Sequence, residues 1–215
     1  MRPLERPYIV GIVGGSASGK TTFIHRLAEH FDAGELCVIS QDNYYVPKEQ
    51  QCCDENGEIN FDLPSSINRS EFHRHLTQLL AGEEIYIREY TFNNPDKEPG
   101  LLVFKPAPII IMEGLFVFHY EEIRELLDLK IFIDADEDIK LERRIHRDAH
   151  ERGYPKESVL YQWYNHVTPA FEQYLLPYKK HSDIIVTNNT SFDRGLEVLV
   201  HHLKAQVKWK TDSVL

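Results

Sequence analysis

The chain has 215 residues, 42% hydrophobic and 27% charged, which suits one folded unit with a sizeable core and excludes a disordered polymer. A formal charge of −10 leaves no basic face of the kind general nucleic-acid binders use, so no nucleic-acid partner is expected. No run approaches the ~20 apolar residues of a membrane helix, the opening residues lack a signal-like apolar stretch, and three cysteines suggest no disulfide framework; the expectation is a cytoplasmic protein with no membrane partner.

Short apolar runs alternate with helical periodicity, the pattern of a parallel sheet with crossover helices. Residues 9–13 read as a buried strand, followed by a glycine-rich loop and a helix over 20–31, and residues 36–40 read as a second strand. Between 44 and 108 the pattern changes to an insertion: a helix over 69–81 and three short alternating segments, 58–61, 84–88 and 101–104, suited to a small antiparallel element. Strands are then expected over 109–112, 130–133 and 184–186, and helices over 120–127, 137–150, 156–179 and 192–208. Pro169 and Pro177 each lack a backbone donor, so the 156–179 helix should be kinked or split near Pro169. No linker divides the chain, and a single domain over 1–215 is expected, with 44–108 inserted on the substrate side.

The loop Gly14-Gly15-Ser16-Ala17-Ser18-Gly19-Lys20-Thr21 has the P-loop spacing. Glycines let the backbone curl so that successive N–H groups, through Thr22, face a polyphosphate. Lys20 can reach the β- and γ-phosphates, the Thr21 hydroxyl can ligate the bridging Mg2+, and the helix that follows adds its positive end. Strand, loop and helix come in the order the motif requires, so the fold class is α/β, with a P-loop NTPase-type parallel sheet and flanking helices. ATP (or GTP) and Mg2+ are the implied cofactors.

Ligands collect at the carboxyl ends of parallel strands. Asp42, just past the second strand in Ser40-Gln41-Asp42, is therefore aimed at the P-loop, where a carboxylate can take a proton from an attacking hydroxyl and share the metal. Glu113 closes the apolar run 108–112 at the place where P-loop enzymes keep a metal-organising acid. Helical spacing puts Lys140, Arg144, Arg147 and Glu151 on one face, with Arg152 beside a capping Gly153. Guanidinium groups so placed suit the charge of a transferring phosphoryl group, and 137–153 reads as an arginine-rich lid helix rather than a solvated, ion-paired one. Cys52-Cys53 and His201-His202 lack partners at ligand spacing and read as a loop and a solvated helix face.

Together these residues resemble the uridine kinase (uridine–cytidine kinase) family, relatives of phosphoribulokinase. The match runs from about residue 9 to 186, through the P-loop, Ser40-Gln41-Asp42, Asn60-Phe61-Asp62, Glu113-Gly114, Arg143-Arg144-x-x-Arg147-Asp148 with Arg152-Gly153, Gln162, Pro169-Ala170-Phe171 and Pro177. The resemblance implies γ-phosphoryl transfer to the 5′-hydroxyl of a pyrimidine nucleoside. It makes Asp42 the base and a metal ligand, with Lys20 and Arg147 in the phosphoryl transfer and Arg152 on the phosphates. Asp62 would hold the ribose, Tyr90 would line the base pocket, Arg144 and Gln162 would sit on the substrate side, and Glu113 with Thr21 would serve the metal. Family members are commonly tetramers.

The departures cluster on the acceptor side. Where the family has Tyr-Asp-Phe-x-x-His, this chain has Tyr90-Thr91-Phe92-Asn93-Asn94-Pro95, so the base-recognising histidine is Pro95. A family arginine is replaced by Tyr154, and an acid near the nucleotide base by Ser191. Losing a donor that a site was built around can alter discrimination by ~10^4-fold. A kinase acting on another hydroxyl, or a nucleotide-binding regulatory protein, are the alternative readings.

Overall fold

All seven residues of β1 (Tyr8–Gly14) are buried, as expected of a central strand covered on both faces. The computed structural model describes residues 6–91 and 98–211. β1 is followed by α1 (Lys20–Ala28), β2 (Leu36–Ser40), α2 (Arg69–Leu80), β3 (Ile85–Arg88), β4 (Leu101–Phe104) and β5 (Ile109–Glu113). Then come α3 (Glu121–Arg124), β6 (Leu129–Asp134), α4 (Glu137–Glu151), α5 (Lys156–Gln162), α6 (Thr168–Ala170), α7 (Leu176–Lys179), β7 (Ile184–Thr187) and α8 (Asp193–Thr211).

Five strands form a parallel sheet in the order β2-β5-β1-β6-β7. Alternate residues feed two cores. Ile9, Val13, Ile110 and Met112 pack with Phe72, Leu76 and Phe116 on one face. Val10, Ile12, Ile109 and Ile111 pack with Phe23, Leu27, Leu199 and Leu203 from α1 and α8 on the other. β3 and β4 pair antiparallel as a separate two-stranded element.

Several boundaries differ from the sequence pattern. α1 stops at Ala28 rather than 31 because its last turn tightens, with the His30 and Phe31 N–H groups bonding the Leu27 and Ala28 carbonyls. α3 covers only four of the eight expected residues, since the chain leaves the helix to join β1: Asp128 N–H donates to the Ile9 carbonyl and the Asp128 carboxylate accepts the Ile9 N–H, both at 2.8 Å. Residues 58–61 form no strand. The Asp54 carboxylate accepts the N–H groups of Asn56 and Glu58, both at 2.9 Å, and this turn leaves only an isolated bridge between Cys53 and Ile59.

The 156–179 segment stays helical without the break expected at Pro169. It widens instead into two π-turns, over Trp163–Val167 and Phe171–Leu175. Proline supplies no N–H, and the wide turns absorb the missing bonds around Pro169 and Pro177.

Candidate active site

Sheet register brings the candidate groups to one edge. Glu113, the last residue of β5, pairs with Ile12 of β1 on one side and Ser40 of β2 on the other. The P-loop leaves β1 one residue past Val13, and Asp42 lies two residues past Ser40, whose hydroxyl accepts the Asp42 N–H at 3.2 Å. In the loop, Ser18 N–H bonds the Gly15 carbonyl, and Ala17 takes a positive φ of 59°. Gly19 (φ 92°) admits no side chain: a Cβ there would lie 2.1 Å from Asn188 Nδ2, which itself donates to the Ser18 carbonyl at 2.8 Å. Asn188, just past β7, thus buttresses the loop, and nothing in local sequence marked it. The Ser18 hydroxyl is buried without a partner, while Thr21 and Thr22 are exposed at the start of α1.

Lys20 Nζ contacts Glu113 Oε2 at 2.8 Å. Burial works against the Lys20 ammonium, but Glu113 and Asp42 outweigh it and hold its pKa above the usual lysine value. Burial, reinforced by Glu113, pushes the Asp42 carboxyl up from 3.8 to about 6, against the pull of Lys20, Arg152 and Arg147. Lys20, Asp42, Glu113, Arg147 and Arg152 therefore form one electrostatic group. Mg2+ on a polyphosphate is held by one or two carboxylates beside phosphate and water; Asp42 and Glu113, close enough to interact electrostatically, fit that demand, and the exposed Thr21 hydroxyl is free to add a ligand.

The inward face of α4 is rotated from the expected one. Lys140, Arg144 and Asp148 are buried, Arg147 flanks them, and Glu151 is exposed. Asp148, only 1% exposed, explains the rotation. Its Oδ1 lies 2.8 Å from Arg147 and 3.5 Å from Arg152, and its Oδ2 lies 3.2 Å from Arg144 Nε. A solvated ion-pair partner is thus a buried hub for three guanidinium groups. Gly153 (φ 69°) ends the helix, letting Tyr154 N–H return to the Asp148 carbonyl.

Arg144 also donates to Ser16 Oγ and to Gln162 Oε1, each at 2.9 Å, joining the P-loop to α5. Asp62, whose N–H bonds the Asn60 side chain at 2.9 Å, has its pKa raised by burial despite Arg144, His166, Arg147 and Arg152. Beside it Tyr45 meets Phe61 edge-on at 5.9 Å and Tyr90 tilted at 5.0 Å, forming an aromatic wall. Asn43 Oδ1 accepts the Tyr90 N–H at 3.1 Å, fixing that wall to the segment carrying Asp42. Burial raises the Tyr90 pKa, with the nearby Tyr154 adding to it. Thr91 closes the described stretch; Phe92, Asn93, Asn94 and Pro95 lie outside the described residues. A separate groove of about 610 Å³ beside α1 and α8, lined by Arg26, His30 and Val200 among others, shares no residue with this site.

A family model described as Phosphoribulokinase / Uridine kinase matches residues 9–193. The chain belongs to this family. It is 35% identical over 206 residues to a uridine kinase of Lactobacillus helveticus, covering 95% of this chain and 98% of that one. It is 33% identical to uridine-cytidine kinase B of Dictyostelium discoideum, over 96% of this chain and 85% of the other. Among solved structures it shares a fold with D-glycerate 3-kinase from Cryptococcus neoformans, with a TM-score of 0.59 at 14% identity over 87% of this chain and 88% of the other. As a phosphoribulokinase/uridine kinase family member the protein is a phosphotransferase with a P-loop.

Proposed function

We propose that this family member is a nucleoside kinase that transfers the γ-phosphoryl of Mg-ATP (or GTP) to the 5′-hydroxyl of a pyrimidine nucleoside. The observation that carries the reading is Asp42: a carboxylate with its pKa raised to about 6, sharing one electrostatic group with the P-loop lysine and two arginines. A base whose pKa lies near the working pH combines availability with proton affinity. Residues 14–22 cradle the donor phosphates, with Lys20, Arg147 and Arg152 balancing their charge. Thr21 and Asp42 would hold Mg2+, with Glu113 orienting it; the ion would supply charge neutralisation to the phosphates. Asp42 accepts the proton of the attacking hydroxyl, while Asp62 holds the ribose and Arg144 with Gln162 closes the acceptor side. The 137–153 helix serves as a lid over this site, excluding water and so limiting hydrolysis.

In the free enzyme Glu113 holds Lys20, and phosphates would draw the ammonium away. Lys20→Met is accordingly expected to weaken binding of a non-hydrolysable ATP analogue at least tenfold, a loss of ~1.5–3 kcal/mol for a contact to a charged group. Titration calorimetry checks this, and unchanged affinity would take the ammonium off the phosphates.

Tyr154 beside Tyr90 favours a second reading, a kinase of the same chemistry with another small hydroxyl acceptor. The deciding experiment measures ADP release from Mg-ATP with uridine, cytidine, adenosine, ribose phosphates and pantothenate. Stimulation by uridine or cytidine is expected. Stimulation by another compound alone moves the acceptor assignment, and no stimulation by any of them removes the nucleoside kinase reading.

A further inference from the structure

A second polar cluster lies behind the acceptor pocket and has no part in the chemistry above. Asp54 Oδ2 accepts from the Tyr161 hydroxyl at 2.5 Å and from His166 Nε2 at 2.8 Å. Asn56 Nδ2 donates to the same Tyr161 oxygen at 2.7 Å. The other carboxylate oxygen, Oδ1, is occupied by the Asn56 and Glu58 N–H groups. His166 is only 2% exposed, while the Asp54 side chain that meets it keeps 17% of its surface in water. Above all the Tyr161 bond, helped by His166, holds the Asp54 carboxyl well below the usual carboxylate range, despite the opposing effect of desolvation.

The connections give the cluster its meaning. Asp54 begins the turn that runs through Asn60 to Asp62, and the Asn60 carbonyl is tied by Ser66 Oγ at 3.1 Å. Tyr161 immediately precedes Gln162, which accepts from Arg144. His166 lies one turn on, in the first π-turn, and within electrostatic reach of Asp62. One carboxylate thus joins the two walls of the acceptor pocket: the 54–62 segment and the helix bearing Gln162.

We propose that Asp54 and His166 are positioning residues for the acceptor, a clasp that holds Asp62 and Gln162 at the spacing the nucleoside requires. The proposal rests on the nucleoside kinase reading. The clasp fastens the 54–62 segment to the helix by side chains alone, since that segment forms no strand with any neighbour among the described residues. Opening it widens the pocket on the ribose side; the P-loop touches the same helix only through the Arg144 bridge from Ser16 to Gln162 and keeps its own anchors in Asn188 and the sheet. A clasp of this kind acts on acceptor binding and not on the phosphoryl donor.

The test compares wild type with His166→Phe, which keeps a ring but cannot donate, and His166→Gln, which restores an N–H donor. His166→Phe is expected to raise KM for the acceptor about tenfold, with KM for Mg-ATP and kcat within about twofold of wild type; His166→Gln should recover most of the loss. Amide hydrogen exchange supplies a readout free of activity: His166→Phe should speed exchange at Asn56 and Glu58, and leave residues 9–21 unchanged. An unaltered acceptor KM, or equal rises in both KM values, overturns the positioning role. Unaltered exchange over 54–62 overturns the part of His166 in the clasp. If no nucleoside supports turnover by wild type, the function reading fails, and exchange alone decides whether the clasp exists.

Discussion

Asp42→Asn is expected to lower turnover at least ~10^2-fold while making the protein more resistant to heat at pH 8. Turnover falls because the amide cannot take the proton of the attacking hydroxyl. Resistance rises because the native carboxyl titrates at about 6 instead of 3.8: the fold prefers the neutral form. A carboxyl raised in this way contributes its stability when protonated, below about 3.8, and loses that contribution as pH rises through about 6. At pH 8 the wild type carries the full cost of a poorly solvated charge, and asparagine removes it. After allowance for the group's partial exposure, the gain is about 1–2 kcal/mol, a few degrees in Tm for a chain of this size. Melting at pH 8 and pH 5 checks this: the advantage should shrink at pH 5, where both side chains are largely neutral. Near-normal turnover by Asp42→Asn would remove the general-base assignment. A Tm advantage equal at both pH values would trace the gain to packing rather than charge.

Asp148→Ala should be the most destabilising change in the lid helix, at about 2–4 kcal/mol. The side chain is 1% exposed, and its removal strands the guanidinium of Arg144, which is only 8% exposed, while Arg147 (29%) and Arg152 (26%) can turn toward water. Breaking a buried pair by deleting one member leaves an uncompensated charge, and that residue of unpaired charge sets the cost. A fall of roughly 5–15 °C in Tm is expected. Arg144→Met in the same background should return part of it, because the stranded charge is then gone; this non-additivity is the specific signature of the cluster. A melt of Asp148→Ala within a degree or two of wild type would mean that the three arginines are held by other contacts.

Much of the fold was legible along the chain because its signals are local. Buried parallel strands read as unbroken apolar runs, and 9–13, 36–40, 109–112, 130–133 and 184–186 each fall within an observed strand. The P-loop declares itself by spacing, and Asp42 and Glu113 follow from the rule that ligands collect at strand ends. Segment 58–61 misled because alternation is also compatible with an Asx-type turn: the Asp54 carboxylate captures the Glu58 N–H along with that of Asn56, and the Asn60 N–H turns back to the Cys52 carbonyl. The π-turns beside Pro169 and Pro177 were signalled only as a loss of donors; whether the chain breaks or widens depends on what packs around it.

The sequence by itself therefore determined the α/β class, the phosphate loop, the acids at the strand ends and the arginine-rich helix, since each rests on neighbours along one chain segment. Tertiary structure alone decided that Asp148 is a buried hub, that Asn188 closes against Gly19, and that Asp54 meets Tyr161 and His166 from more than 100 positions away. The arginines around Asp148 are its neighbours on one helix, but whether that face is buried depends on what packs against it, and the Asn188 and Asp54 pairings depend on how distant segments are brought together in space.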